Sequence, residues 1–172
     1  MALPGLFIYT SGSWRRLTGK FPGANGLATW RDSGADREWL FVSDYYGKRI
    51  YGYLYDERQQ SIGGEPDAVV ELDMRPDNLT IQEDQLIAVG SDGSGANAVK
   101  TVLSFVLSSK ISTAHRWVEL PLPLGIGDPP VQAQVLQGIG GAAASVGVRS
   151  NGYLYGGRIL RDDVWRVPIE EP

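Results

Sequence analysis

The chain has 172 residues, which is enough for one ordinary domain with a hydrophobic core. Hydrophobic residues make up 42% and charged residues 21%, a globular rather than a disordered composition. The net charge of −4, with Lys and Arg scattered, argues against a nucleic-acid partner, and no cysteine is present for disulfides or thiolate chemistry. No window approaches the ~20 apolar residues of a membrane span.

The first ten residues contain a short apolar run without a basic segment before it. This pattern is a poor match to a secretory signal peptide. The sequence therefore carries no signal that defines a compartment.

The 22 glycines and 10 prolines are spread along the chain between short β-branched and aromatic runs, which is typical of an all-β protein. A hairpin is predicted first, with strands at residues 6–9 and 14–18. Three copies of a strand pattern follow. The first has strands at 26–30, 39–44, 48–55 and 68–72; the second at 78–81, 85–91, 99–107 and 115–120; the third at 144–148, 153–156 and 163–167.

Each copy has about the size of one four-stranded propeller blade. The Pro- and Gly-rich residues 121–130 are predicted to be an inserted loop. Three copies with part-copies at each end do not close a ring. We therefore expect residues 1–172 to form a single partial six-bladed β-propeller, with open sheet edges that favour self-association.

Polar side chains open the first strand of two successive copies. Asp77 and Asn78 precede Leu79, and Asn25 precedes Gly26 and Leu27. Carboxylate and amide oxygens are hard donors of the kind calcium prefers. Two simpler explanations stay open: Asn25-Gly26 is also a turn pair, and Asn78-Leu79-Thr80 is also a glycosylation sequon.

Other motifs carry less weight. The glycine-rich residues 138–143 match a loose dinucleotide fingerprint, but a strand rather than a helix is predicted after them. His115 is the only histidine, which excludes a histidine-rich zinc site within one chain, and it is predicted to lie on an outer strand. Residues 92–95 lack the acid spacing of an EF-hand loop and are predicted to be a turn.

Taken in order, several segments resemble the C-terminal half of the serum paraoxonase/arylesterase family. They are residues 23–27 with 39–44 and 48–53, residues 76–81 with 86–90, residues 135–139, and residues 152–156. The resemblance implies a six-bladed propeller with calcium in its channel that hydrolyses aryl esters and lactones. It places Asn25, Asp77 and Asn78 on calcium-ligand positions.

The chain also departs from the family pattern. The family's further Glu and Asn ligands and its histidine dyad belong to an N-terminal half that has no counterpart here. Ser91-Asp92 stand where the family often has Cys-His, and the C-terminal cysteine is absent near Val167. Three oxygen ligands fall short of the six to eight that calcium takes.

We therefore expect a truncated paraoxonase-like hydrolase with a low-affinity partial calcium site and little activity alone. Its expected partner is a small-molecule ester or lactone. Two alternatives remain: a non-catalytic β-propeller binding or scaffold module, and a metal-free relative of strictosidine synthase. The Asp77-Asn78 pair disfavours the second alternative.

Overall fold

The computed structural model describes residues 6–10, 12–17, 21, 23–91, 115–124, 131–136, 144–158 and 164–168. These residues form fourteen β-strands and no helix, which confirms the all-β prediction. The strands are β1 Phe7–Thr10, β2 Ser13–Arg16, β3 Ala24–Asp32, β4 Arg37–Asp44, β5 Arg49–Asp56, β6 Ser61–Ile62, β7 Ala68–Glu71, β8 Arg75–Gln82, β9 Gln85–Ser91, β10 His115–Pro121, β11 Val131–Leu136, β12 Ala144–Ser150, β13 Tyr153–Arg158 and β14 Val164–Pro168.

All strand pairs are antiparallel, and they form four separate sheets. We call these the N-terminal hairpin (β1–β2), the first central sheet (β3–β7), the second central sheet (β8–β11) and the C-terminal sheet (β12–β14). Chain neighbours pair within each sheet, with one exception: β5 pairs with both β6 and β7. In the described ranges, none of the sheets closes on itself.

The second central sheet differs from the prediction in its outer half. His115–Pro121 was expected to be the outermost strand, but it pairs with β9 over seven positions and with β11 on its other side. The outer strand β11 was not predicted, and the predicted strand at 99–107 lies outside the described residues. Trp117, Val118 and Leu120 are buried, which explains why β10 occupies an inner position.

Strands β4 and β9 are buried on both faces. Residues 39–44 of β4 and 86–90 of β9 are buried without interruption, as a continuous apolar run bounded by turns predicts. In β4, Trp39 and Phe41 pack into one cluster, whereas Leu40 and Val42 pack into another. Fully burying a side chain such as Phe41 contributes about 1.5–3 kcal/mol, so these two strands anchor the packing.

Neighbouring sheets contact each other through their first strands. Strand β3 contacts β8, and β8 in turn contacts β12. Hydrogen bonds link the far ends of these strands: Trp30 Nε1 donates to Asp84 Oδ1 at 2.9 Å, and the Gln82 amide pairs with the backbone of Arg149 at 2.5 and 3.0 Å. The first strands are thus held side by side, which fixes the position of the polar residues that open them.

Candidate metal centre

The first strands of the two central sheets carry β-bulges at matching places. The register of β3 against β4 shifts between residues 24 and 27, and that of β8 against β9 shifts between residues 76 and 79. Counted back from the leucine that resumes pairing, Asn25 is the equivalent of Asp77, and Gly26 is the equivalent of Asn78. Bulges redirect side chains and are frequent beside functional sites.

The two bulges are in direct contact at Gly26. A Cβ on Gly26 would lie 2.4 Å from the carbonyl oxygen of Asp77 and 2.6 Å from Cα of Asn78. These distances are far below any real contact of a Cβ atom. Only glycine therefore lets β3 approach β8 closely enough to bring the polar residues of both bulges together.

The Ser43 hydroxyl, on β4, forms hydrogen bonds with both bulges. Its hydroxyl oxygen accepts a hydrogen bond from the Gly26 N–H at 2.6 Å and donates to the carbonyl oxygen of Asp77 at 2.5 Å. Ser43 is completely buried. The hydroxyl thus satisfies backbone groups that the bulges release from the ladder.

Within this frame, two of the predicted ligands meet. Asn25 Nδ2 donates to Asp77 Oδ1 at 2.6 Å, across the junction of the two sheets. Asn25 is exposed and Asp77 is half-buried. The structure therefore brings together two residues that are 52 positions apart in the sequence.

The environment of Asp77 disfavours its negative charge. Burial raises the pKa of the Asp77 carboxyl, and the hydrogen bond from Asn25 opposes this effect only in part. No Lys or Arg among the described residues forms an ion pair with Asp77. A half-buried carboxylate with a raised pKa and no cationic partner among the described residues is a candidate for a functional site.

Asn78 follows Asp77 in the bulge and is half-buried. Its side-chain amide forms no hydrogen bond with any residue that the structure describes. The described contacts therefore join Asn25 with Asp77 but do not bring the Asn78 amide to this pair.

The three predicted ligands are of the chemical type that calcium prefers, but they are fewer than it needs. One carboxylate and two amide oxygens are hard ligands, but calcium takes six to eight. Rotation of the Asn25 amide would exchange Nδ2 for Oδ1 and so present an oxygen beside Asp77. Across the described ranges, no three His, Cys, Asp or Glu side chains lie close enough to hold a metal on their own.

An arginine and two tyrosines lie at the same end of the central sheets. The Arg75 guanidinium, at the start of β8, lies 5.7 Å from the ring centre of Tyr45 in the turn after β4. Tyr46 packs edge-on against Tyr45 and is 76% exposed. The exposed ring of Tyr46 and the Arg75 guanidinium, which forms no ion pair with a described residue, make a surface that suits an aromatic, electron-rich ligand.

The sequence analysis missed Ser43 and Asp44. Asp44 is buried, and its carboxylate accepts hydrogen bonds from the Gly47 N–H at 2.9 Å and from the Tyr51 hydroxyl at 3.4 Å. Asp44 therefore shapes the turn between β4 and β5 and is not free to bind a metal. The Asp-x-x-Gly spacing signals such a turn; nothing in the sequence signals the role of Ser43.

Several other predicted motifs lie outside the described residues, among them residues 92–95 and 138–143. For His115 the structure gives the backbone pairing with Ser91. Wherever the structure describes the chain, it contains no helix long and apolar enough to cross a membrane.

In comparisons with known proteins, no family model matches the chain, and no curated protein matches it significantly.

Proposed function

We propose that this chain is a paraoxonase-like calcium-binding unit of β-propeller type that acts on small esters or lactones. The contact between Asn25 and Asp77 is the observation that carries the proposal, because it joins equivalent bulge positions of two neighbouring sheets. The order of the sheets along the chain, with their first strands side by side, also supports a propeller arrangement.

In this proposal each polar residue has a separate role. Asp77 supplies negative charge, and Asn25 and Asn78 supply neutral oxygens beside it. A bound calcium ion would polarise the ester carbonyl as a Lewis acid. Tyr46, which is exposed at the same end of the sheets, would contact the aryl group, and Arg75 would attract the carbonyl oxygen as negative charge develops.

A second candidate function is a calcium-binding module without catalysis. One observation favours it: apart from Asn25, no described side chain forms a hydrogen bond with the Asp77 carboxylate, so no second described side chain is placed against it to act as a general base. The single histidine of the sequence also excludes a histidine dyad within one chain.

The hydrolysis of phenyl acetate, measured with calcium and with a chelator, tests the first function. We expect slow turnover that depends on calcium in the wild type and is lost in Asp77→Asn. Glu57→Gln is the matched control, because Glu57 is an exposed carboxylate that forms a surface ion pair with Arg31. This variant should keep the wild-type rate.

Turnover that survives the chelator or the Asp77→Asn substitution would contradict the proposed role of the centre. Calcium binding without turnover of phenyl acetate or of a simple lactone would favour the non-catalytic module.

A further inference from the structure

The first central sheet leaves one inner-strand residue uncovered at a place where its neighbour has the equivalent residue covered. On the same side of this sheet, residues of the N-terminal hairpin pack against Leu40, Val42 and Tyr53. Leu27 and Leu79 hold equivalent positions, each being the first residue paired after the bulge of its strand. Leu79 is 7% exposed because the first central sheet packs on it, whereas Leu27 is 52% exposed. Leu27 is thus open to solvent beside the N-terminal hairpin, and no other sheet of the described residues covers it.

Leu27 borders an apolar groove between the N-terminal hairpin and the first central sheet. The groove has a volume of about 210 Å³ and is lined by Leu6, Phe7, Ile8, Leu17, Leu40 and Tyr55, among others. Phe7 is 57% exposed. We call this surface, defined by Phe7, Leu27, Thr29, Glu38 and Tyr55, the N-terminal face.

Glu38 is the charged residue that lines this groove. Arg31 lies directly across the ladder from Glu38, but it forms ion pairs with Asp36 and Glu57. Glu38 itself has no ion-pair partner among the described residues. The N-terminal face is therefore apolar with an unpaired carboxylate on it.

The C-terminal sheet exposes an apolar face that carries a positive charge, opposite to the charge on the N-terminal face. Gly147 and Leu154 lie on the covered side, because a Cβ on Gly147 would meet Val89 of the second central sheet and Leu154 is completely buried. Since side chains alternate along a strand, the adjacent residues face the other way. Val148 and Val164 are 44% and 68% exposed there.

Arg166 lies on this same face, directly across the ladder from Tyr155. Its guanidinium lies 4.9 Å from the ring centre of Tyr153, and it forms no ion pair with a residue that the structure describes. We call the surface formed by Val148, Tyr153, Tyr155, Val164 and Arg166 the C-terminal face. It is apolar and aromatic and carries an unpaired cation.

We propose that the N-terminal face of one copy of this chain packs on the C-terminal face of a second copy. The contact would repeat between molecules the sheet-on-sheet packing seen within the chain, with Leu27 covered as Leu79 is. Glu38 and Arg166 supply opposite charges on the two faces, which orients the contact.

The size of the faces indicates how many contacts are needed. The C-terminal sheet has three described strands of five to seven residues, about 20 Å long and ~4.8 Å apart, so its face presents roughly 300 Å² and one contact buries at most about 600 Å² in total. That area is small for a stable complex, whereas two such contacts reach about 1,200 Å², the lower end of the range for specific interfaces. A dimer in which each copy uses both faces closes the assembly and is the expected species.

Sedimentation velocity over a range of concentrations of the full chain, in calcium-free buffer with a chelator, tests this proposal independently of the metal centre. We expect a monomer–dimer equilibrium that Leu27→Lys abolishes. Glu83→Lys is the control, because Glu83 is exposed in the turn between β8 and β9 of the second central sheet, which forms neither face. Thermal melting of each variant verifies that it remains folded.

A charge exchange provides the sharper comparison. Glu38→Arg and Arg166→Glu should each weaken dimerisation by about tenfold, and the double variant should restore it. A monomer at all concentrations would overturn the proposal, as would higher polymers in place of a dimer. A dimer that is insensitive to Leu27→Lys and to both charge variants would overturn it as well.

Discussion

Replacing Gly26 with alanine tests the close approach of the two bulged strands. The added methyl group would lie 2.4 Å from the Asp77 carbonyl oxygen, 2.6 Å from Cα of Asn78 and 2.9 Å from the Leu79 nitrogen. All three atoms belong to the backbone, so no side-chain rotation can relieve the overlap. Strand β8 must therefore move away from β3.

Overpacking of this kind typically costs about 1–3 kcal/mol of unfolding free energy. For a chain of this length, each kcal/mol lowers the melting temperature by about 2–4 °C, so we expect a loss of roughly 2–12 °C. The movement also separates Asp77 from Asn25, and any calcium affinity of the centre should fall with it. Differential scanning calorimetry in calcium-free buffer measures the first effect alone.

Gly64→Ala is the matched control, because a Cβ at Gly64 would have no atom within 4 Å. This variant should melt within a degree or two of the wild type or slightly above it, since alanine restricts the unfolded chain. If Gly26→Ala melts at the same temperature as Gly64→Ala, the two bulges do not approach as described and the geometry of the centre is wrong.

Three further predictions concern the same region. Burial raises the pKa of Asp77 in the folded protein, so its contribution to stability is present at acidic pH and is lost as the pH rises through the folded-state pKa. In calcium-free urea titrations, Asp77→Asn should therefore gain stability relative to the wild type between acidic and neutral pH; a difference that is constant with pH would refute this. Ser43→Ala leaves the Gly26 N–H and the Asp77 carbonyl without their partner and should cost about 1–3 kcal/mol, measured by urea unfolding, whereas a neutral result would show that the bridge is unimportant. Gln82→Met removes both hydrogen bonds to the Arg149 backbone and should cost a similar ~1–3 kcal/mol; hydrogen exchange of the Arg149 amide that stays as slow as in the wild type would contradict it.

Much of the fold could be predicted from local patterns. Apolar alternation and turn residues locate the N-terminal hairpin, all three strands of the C-terminal sheet and most strands of the first central sheet. Strand β6 was missed because two residues carry no periodic signal. Strand β11 was missed because the second copy already had four predicted strands between residues 78 and 120, whereas β10 pairs directly with β9 and so leaves its other edge to β11.

The residue types of the candidate site could be predicted from the sequence, but the alignment of the strands that carry them could not. The sequence suggested that Asn25 and the Asp77-Asn78 pair hold equivalent positions, yet only the bulges show that Asn25 matches Asp77. A register shift depends on pairing between strands and leaves no trace in the composition of one strand. The same limit applies to the third copy, because only the structure shows that a Cβ on Gly147 would meet Val89 of the second central sheet.

Ser43 illustrates a further limit. A buried serine that bridges two strands is recognisable only once the strands are placed, because its partners are the backbone atoms of Gly26 and Asp77. The proposed calcium site depends on this arrangement, which the sequence alone could only suggest through a family resemblance.

Calorimetric titration of the full chain with calcium tests the central claim most directly. The account predicts weak binding of one ion per chain that Asp77→Asn abolishes, that Asn25→Ala and Asn78→Ala each weaken, and that Glu57→Gln leaves unchanged. No heat of binding at millimolar calcium, or binding that is unaffected by Asp77→Asn, would contradict it.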